Sequence, residues 1–447
     1  MPDSGTARRP VFQFSRSHDP LLAVIWILVF LLGSLAVLQR RAPEAGGAPA
    51  AGLQGRILEL QAFALELSPT GTTLLPKLPQ NLTQPWDRAL CAVLAAESKD
   101  IATARPLALE GLEPPGPGAD FRDCFRAAYE GGGLPSEDRW PAVFRALGQG
   151  YGARLLEARL QERKGDSARA KALREAARRR LGARFAGFAV FGGAVLGLFL
   201  AGLAFGVFLV ITRKVPPRLE LQPSPLGGRS LAAVFGIWAL CLLLSGSLVA
   251  GLLHLAPVLK PYALFLAYGA HAAAGLLLLA AAEGRSLGRV LARLGSPAPL
   301  RSLGWASGFL ALAVALVVVV ALVLSPLLKN AQPPQRELME MIQGTGGILP
   351  TLLLFFTMAV VAPCFEELLF RGTLLPWLQS RLGAPWASPL SALAFAAIHL
   401  QPLALPTLFT LGAVLGLAAR RTGGLLAPIA VHAAWNGSVF LLMKLMA

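Results

Sequence analysis

The chain has 447 residues, 55% of them hydrophobic and only 15% charged, with a formal net charge of +16. So large an apolar fraction exceeds what a soluble protein can hide in packed cores, and it points to the bilayer as solvent. The positive charge does not indicate a nucleic-acid partner, because most Lys and Arg residues fall in short loops between apolar runs, where they report topology.

A hydrocarbon core of about 30 Å needs about 20 apolar residues per helical span. Residues 1–20 form a basic tail with Arg8, Arg9 and Arg16, and residues 21–38 form the first apolar run. That run is longer than the usual core of a cleaved signal peptide, so it reads as an uncleaved signal anchor. Residues 39–184 are polar and are expected to fold as a mostly helical domain. Ile57–Leu67 and Ala89–Ala96 have near-helical apolar spacing, and Pro/Gly-rich breaks occur at Pro76–Pro85 and Glu113–Gly118. Cys91 and Cys124 both lie in this stretch, either as a disulfide or as two thiols. From residue 151 to 184 there are eleven basic and four acidic residues, as in a charged helix that has a solvated face or lies on anionic headgroups before entering the second span.

Residues 185–447 then read as an eight-helix membrane core, with apolar runs at Phe185–Ile211, Leu231–Leu255, Tyr262–Ala282 and Trp305–Leu328 and shorter, polar-interrupted segments from Ile348 onward. The expected fold is an all-α polytopic membrane protein of about nine transmembrane helices, with the soluble domain inserted between the first and second. A cytoplasmic N-terminus puts fifteen basic residues of the short loops inside, Arg213, Lys214, Arg218, Arg420 and Arg421 among them, and only Lys260, Lys329, Arg336 and Lys444 outside. It also puts residues 39–184 outside the cytoplasm. The Ala/Arg/Gly/Leu-rich composition suggests a bacterial inner membrane.

Ionisable groups at membrane depth cost about 2.5 kcal/mol or more each, so they tend to be paired, to face the bundle interior and to be functional. The segment after Ile348 is interrupted by Glu366, Glu367 and Arg371, the next apolar segment holds Phe395 and His399, and the last holds His432 and Asn436. Glu367 and Arg371, Phe395 and His399, and His432 and Asn436 are each spaced i, i+4, which places both members on one helical face. Glu366 is rotated about 100° from Glu367 and can point elsewhere, into a cavity. A glutamate with two histidines can hold and deprotonate a water, directly or on a metal, and an asparagine amide can stabilise an oxyanion. Taken singly, each feature also fits an ordinary packing role. His254 and His271 lack motif partners and read as interhelical hydrogen-bonding residues, and Cys364 reads as a small packing residue.

Glu-Glu-x-x-x-Arg, Phe-x-x-x-His and His-x-x-x-Asn, in this order on successive segments, resemble the three motifs of the CPBP, or Abi, family of intramembrane proteases, which includes type II CAAX prenyl endopeptidases. The resemblance covers residues 348–440. It implies Glu366 as the base that activates water, His399 as the residue that orients the water, and His432 and Asn436 as oxyanion stabilisers. Glu367 and Arg371 would organise the site and Phe395 would line it. The residues leave open whether the water is bound to zinc. No His-Glu-x-x-His helix is present, but Glu366, His399 and His432 make a three-ligand set for one divalent ion.

The implied partner is a membrane-associated protein or peptide substrate within the lipid bilayer. Two other readings stay open: a non-catalytic relative acting as scaffold, bacteriocin-immunity factor or partner-binding protein, and an ion-coupled transporter. The charge pattern sets Arg371 near the end of its helix, with His399 about 20 Å into the next. For the two to meet, the sixth helix must be long, or a cavity must reach inward, and the cavity is the expectation.

Overall fold

The structure is a computed structural model that describes residues 18–41, 58–63, 85–98, 100–109, 117–148, 150–212, 221, 223–296, 298–326, 342 and 347–446. The expected loop cations Arg8, Arg9, Arg16, Arg213, Lys214, Arg218, Lys329 and Arg336 lie outside the described residues, as do the break at 76–84 and most of that at 113–118. Among the described residues every regular element is helical, and contacts divide the chain into two compact units, 44–192 and 1–43 with 193–445.

The first of these units contains a segment at 58–63 and helices α2 (Pro85–Glu97), α3 (Ile101–Leu109), α4 (Pro117–Tyr129), α5 (Trp140–Ala146) and α6 (Tyr151–Lys164), numbered after α1 (Asp19–Arg41) of the other unit. It also takes in the start of α7 (Ser167–Thr212). Its core is built on Trp86, Leu90, Phe121, Phe125 and Leu156. Cys91 on α2 and Cys124 on α4 are both buried and both free, so of the two outcomes left open by the sequence the fold adopts the unpaired one. Burial pushes each thiol up to about 12, with Asp87 adding to the effect at Cys91 and Asp120 at Cys124. Ion pairs lie around this core: Glu97 takes Arg159 at 2.8 Å and the hydroxyl of Tyr129 at 2.9 Å, and Arg139 lies on Asp120 and Asp123.

One buried carboxylate ties the 58–63 segment into this unit. Glu59 is 3% exposed and accepts the backbone N–H of Gly152 at 2.8 Å, where the first turn of α6 has amides without intrahelical partners. Gly150 makes the approach feasible, since a Cβ there would stand 2.5 Å from Glu59 Oε1.

The other unit holds α1, the remainder of α7, α8 (Gly228–Leu255), α9 (Ala263–Glu283) and α10 (Pro299–Leu324). A 35-residue helix, α11 (Ile348–Leu382), follows, and then α12 (Ala384–Ala397), α13 (Leu405–Thr422) and α14 (Leu426–Met446). Six helices are long and apolar enough to cross a membrane: α7, α8, α9 with the turn before it, α10, α11 and α14. The expected count of nine is not reached on length and composition among the described residues. α12 has 14 residues, about 21 Å against a core of about 30 Å, α13 carries Arg420 and Arg421 in its last turn, and α1 counts as a shorter apolar helix over Asp19–Ser34.

The long α11 removes the depth problem posed by the sequence. It does not end near Arg371 but runs on to Leu382, and α12 turns back after Gly383, whose φ of +76° suits glycine. Glu366 lies about 16 residues before that turn and His399 about 15 beyond it, so at 1.5 Å per residue they return to one level.

Two expected outcomes test the first unit. Glu59→Ala, which strands the Gly152 amide, should destabilise it by about 1–3 kcal/mol in thermal unfolding of the full chain. Cys91 and Cys124 should resist maleimide at pH 8 in the folded protein and react within minutes once it is denatured, because the thiolate is the reactive form.

Candidate active site

α11 is not a regular helix through the site. Thr357–Val361 and Phe370–Leu374 are π-helical turns, and each is followed closely by a proline, Pro363 and Pro376. In the first, the N–H of Ala362 bonds Thr357 O, and Pro363 has no N–H to offer, so the carbonyl of Met358 is left without a helical donor. Asn436 Nδ2 of α14 donates to that carbonyl at 3.0 Å. In the second, Pro376 leaves the carbonyl of Gly372 without a donor. Arg293 reaches it with Nη2 while its Nη1 donates to Glu283 at 2.7 Å.

Between the two π turns stand the carboxylates. Glu367 is 0% exposed, and its Oε1 accepts Arg371 Nη1 at 2.9 Å and His432 Nδ1 at 2.9 Å. Arg371, equally buried, donates its other terminal nitrogen to Gly412 O of α13 at 2.8 Å, and its guanidinium carbon lies 4.5 Å from the centre of the Phe395 ring. Gly412 has to be small here: a Cβ would stand 3.1 Å from both Ala392 and Phe395 of α12.

Glu366 points elsewhere, as its 100° rotation requires. Its Oε1 accepts the hydroxyl of Tyr268 at 2.6 Å, and its Oε2 is buried, lacks a hydrogen-bond partner and lies 3.8 Å from His432 Nε2. His432 Nδ1 donates to Glu367, and its Nε2 faces Glu366. His399 lies one turn past Phe395, beyond the last residue of α12 rather than within a span, and its Nδ1 donates to Phe395 O at 2.8 Å. The next residue, Leu400, holds a left-handed φ of +52°, a strain that non-glycine residues seldom accept away from functional sites. The Phe395 ring lies 5.0 Å from that of His399 and 5.6 Å from that of His432.

The structure thus brings together Glu366, Glu367, Arg371, Phe395, His399 and His432. Asn436 sits one turn along α14 from His432, bonded to backbone rather than to either carboxylate. His254 is exposed near the end of α8. His271 is buried beside the site, its ring 4.3 Å from that of Tyr268, and Cys364 is a half-buried free thiol. Tyr268 is the residue that sequence reasoning missed. A tyrosine three residues before His271 on an otherwise apolar helix is a weak signal, and its partner is 98 residues away.

Of the three-ligand set expected for a metal, Glu366 and His432 face each other across 3.8 Å; among the described residues no group of three His, Cys, Asp or Glu side chains is placed to hold an ion.

Residues 348–438 match the family of type II CAAX prenyl endopeptidases described as Rce1-like. An uncharacterised 24.3 kDa protein of Escherichia coli is 35% identical over 104 residues, which is 22% of this chain and 48% of that protein, so the chain spans about half the length of this curated relative. No solved structure matches. The segment that builds α11 to α14 and carries all three motifs, residues 348–438, is a domain of the Rce1-like, type II CAAX prenyl endopeptidase family.

Proposed function

We propose that the chain is an intramembrane endopeptidase that hydrolyses a peptide bond of a membrane-associated protein or peptide, using a water activated by Glu366. The observation that carries this reading is the buried, unpartnered Oε2 of Glu366 opposite Nε2 of His432. Their 3.8 Å separation is too long for a direct hydrogen bond and suits one bridging water. A water about 2.8 Å from both atoms would subtend about 85° and bridge them.

In the reaction Oε2 takes one proton of that water as its oxygen bonds to the scissile carbonyl carbon. The carbonyl π electrons move to the oxygen, and the tetrahedral oxyanion needs a donor. His432 and the second amide hydrogen of Asn436, whose first is engaged by Met358, are placed to share this role. The C–N bond then breaks as the proton held on Glu366 passes to the leaving nitrogen, giving a carboxylic acid and an amine. His399, half-buried with its Nδ1–H engaged, offers Nε2 to orient the water or accept a substrate N–H. Glu367, Arg371 and Phe395 hold His432 and the Glu366 backbone in place.

The topology that goes with this reading has α1, α12 and α13 completing nine passes, the N-terminus in the cytoplasm of a bacterium and the 39–184 domain outside it.

Glu366→Ala and His399→Ala should each abolish cleavage with folding unchanged. Quantitative proteomics of membrane fractions should then show new peptide termini with wild-type protein and none with Glu366→Ala; termini that persist in Glu366→Ala would contradict the assignment. Because among the described residues no group of three His, Cys, Asp or Glu side chains is set to hold an ion, cleavage should also survive prolonged treatment with EDTA and 1,10-phenanthroline; loss restored by added zinc would show that a metal holds the water.

A further inference from the structure

We propose that Tyr268 is a positioning residue of this site: by taking Oε1 of Glu366 it fixes the carboxylate so that Oε2 alone faces the water. The proposal rests on the hydrolytic reading above and concerns α9, which lies outside the family-matched segment.

A glutamate side chain on a helix rotates about three bonds, and an unrestrained carboxylate presents either oxygen in many directions. Catalysis by a base is sensitive to such freedom, since a misplacement of about 1 Å can cost about a hundredfold in rate. Glu366 draws little restraint from its own helix. Its neighbour Glu367 holds Arg371 and His432, while Glu366 accepts the Tyr268 hydroxyl at 2.6 Å and approaches His432 at 3.8 Å. An ionised carboxylate can only accept, so Tyr268 is the donor, and hydrogen bonds of this charge-assisted kind are short and strong.

Tyr268 is itself fixed. Its ring meets the edge of His271 at 4.3 Å, and His271 Nδ1 donates to Ala267 O at 3.1 Å. His271 in turn packs against Trp238 of α8 and Phe365 of α11. Gly275, one turn further along α9, leaves room for the Phe365 ring, which a Cβ there would meet at 2.5 Å. The tyrosine therefore belongs to an aromatic wall that reaches from α8 through α9 to α11, and its hydroxyl donates to the base. Both carboxylates, Glu366 and Glu367, keep a buried Oε2 without a hydrogen-bond partner, and that of Glu366 is the one that faces His432 Nε2, at 3.8 Å.

The test uses purified full-length protein added to membranes from cells that express only Glu366→Ala protein, which supply the uncleaved substrate pool, with new peptide termini counted by mass spectrometry over time. Two replacements of equal size separate hydrogen bonding from packing: Tyr268→p-aminophenylalanine keeps a donor, and Tyr268→p-methylphenylalanine removes it. Tyr268→Phe is the simple variant, and size-exclusion chromatography checks folding of all three. The expected result is a loss of maximal rate of about tenfold to a hundredfold for Tyr268→Phe and Tyr268→p-methylphenylalanine. The half-saturating membrane dose should change less than about twofold, and Tyr268→p-aminophenylalanine should recover most of the rate. If Tyr268→Phe does not fold, the equal-sized pair decides alone. Wild-type rates without the donor would overturn the proposal and leave the hydrolytic reading intact, as would a loss that the amino variant fails to recover or one confined to the half-saturating dose. Wild-type protein that generates no new termini would overturn the reading, and this proposal with it.

Discussion

The site depends on one buried charge, the carboxylate of Glu367. With no exposure to solvent, this group is tolerable inside an apolar bundle only if its partners are held in place, and removing one partner of such a pair typically costs about 3–5 kcal/mol. Its Oε1 meets that demand by accepting from Arg371 on its own helix and from His432 on the last one. Arg371 carries the constraint further, to the Gly412 carbonyl of α13 and the Phe395 face of α12. Four helices are thus brought to a common depth by one oxygen atom. The adjacent residue is then free of that structural duty: Glu366 points away, with one oxygen on Tyr268 and one open.

Helix irregularity provides the rest of the geometry. Each π turn of α11 widens the helix beside the carboxylates, and each following proline withholds a donor that the backbone would otherwise supply. The two stranded carbonyls are met by side chains from elsewhere, Met358 by Asn436 and Gly372 by Arg293. π turns of this kind occur often at functional sites, and here they convert a missing backbone hydrogen bond into an anchor for a neighbouring element. The Met358 carbonyl thereby fixes the orientation of Asn436.

Much of this was legible in the sequence, because ionisable residues in apolar segments stand out against their surroundings and i, i+4 spacing says which of them share a face. Glu366, Glu367, Arg371, His432 and the helical pairing of Glu367 with Arg371 were read in that way. What escaped follows from the same logic. Tyr268 carries no charge, so it hid among apolar neighbours. The carbonyl that receives Asn436 is backbone, created by a π turn that leaves no local pattern. Arg371 was taken to mark a helix end because a cation usually sits near an interface, yet it is buried in an ion pair and α11 continues to Leu382. His399 was placed within a span although α12 stops at Ala397, since the apolar run does not reveal the left-handed turn at Leu400. The pairing of Cys91 and Cys124 depended on distances that spacing cannot supply.

The claim at the centre of this account is a division of labour between adjacent carboxylates, one structural and one reactive. Thermal unfolding of the full-length protein in detergent, comparing Glu366→Gln with Glu367→Gln, tests it without any substrate. The account predicts that Glu367→Gln unfolds at a markedly lower temperature than wild type, because Arg371 and His432 lose their shared charge, while Glu366→Gln unfolds at or above the wild-type temperature. A Glu366→Gln protein less stable than Glu367→Gln would contradict it, since Glu366 would then be the residue that holds the helices together.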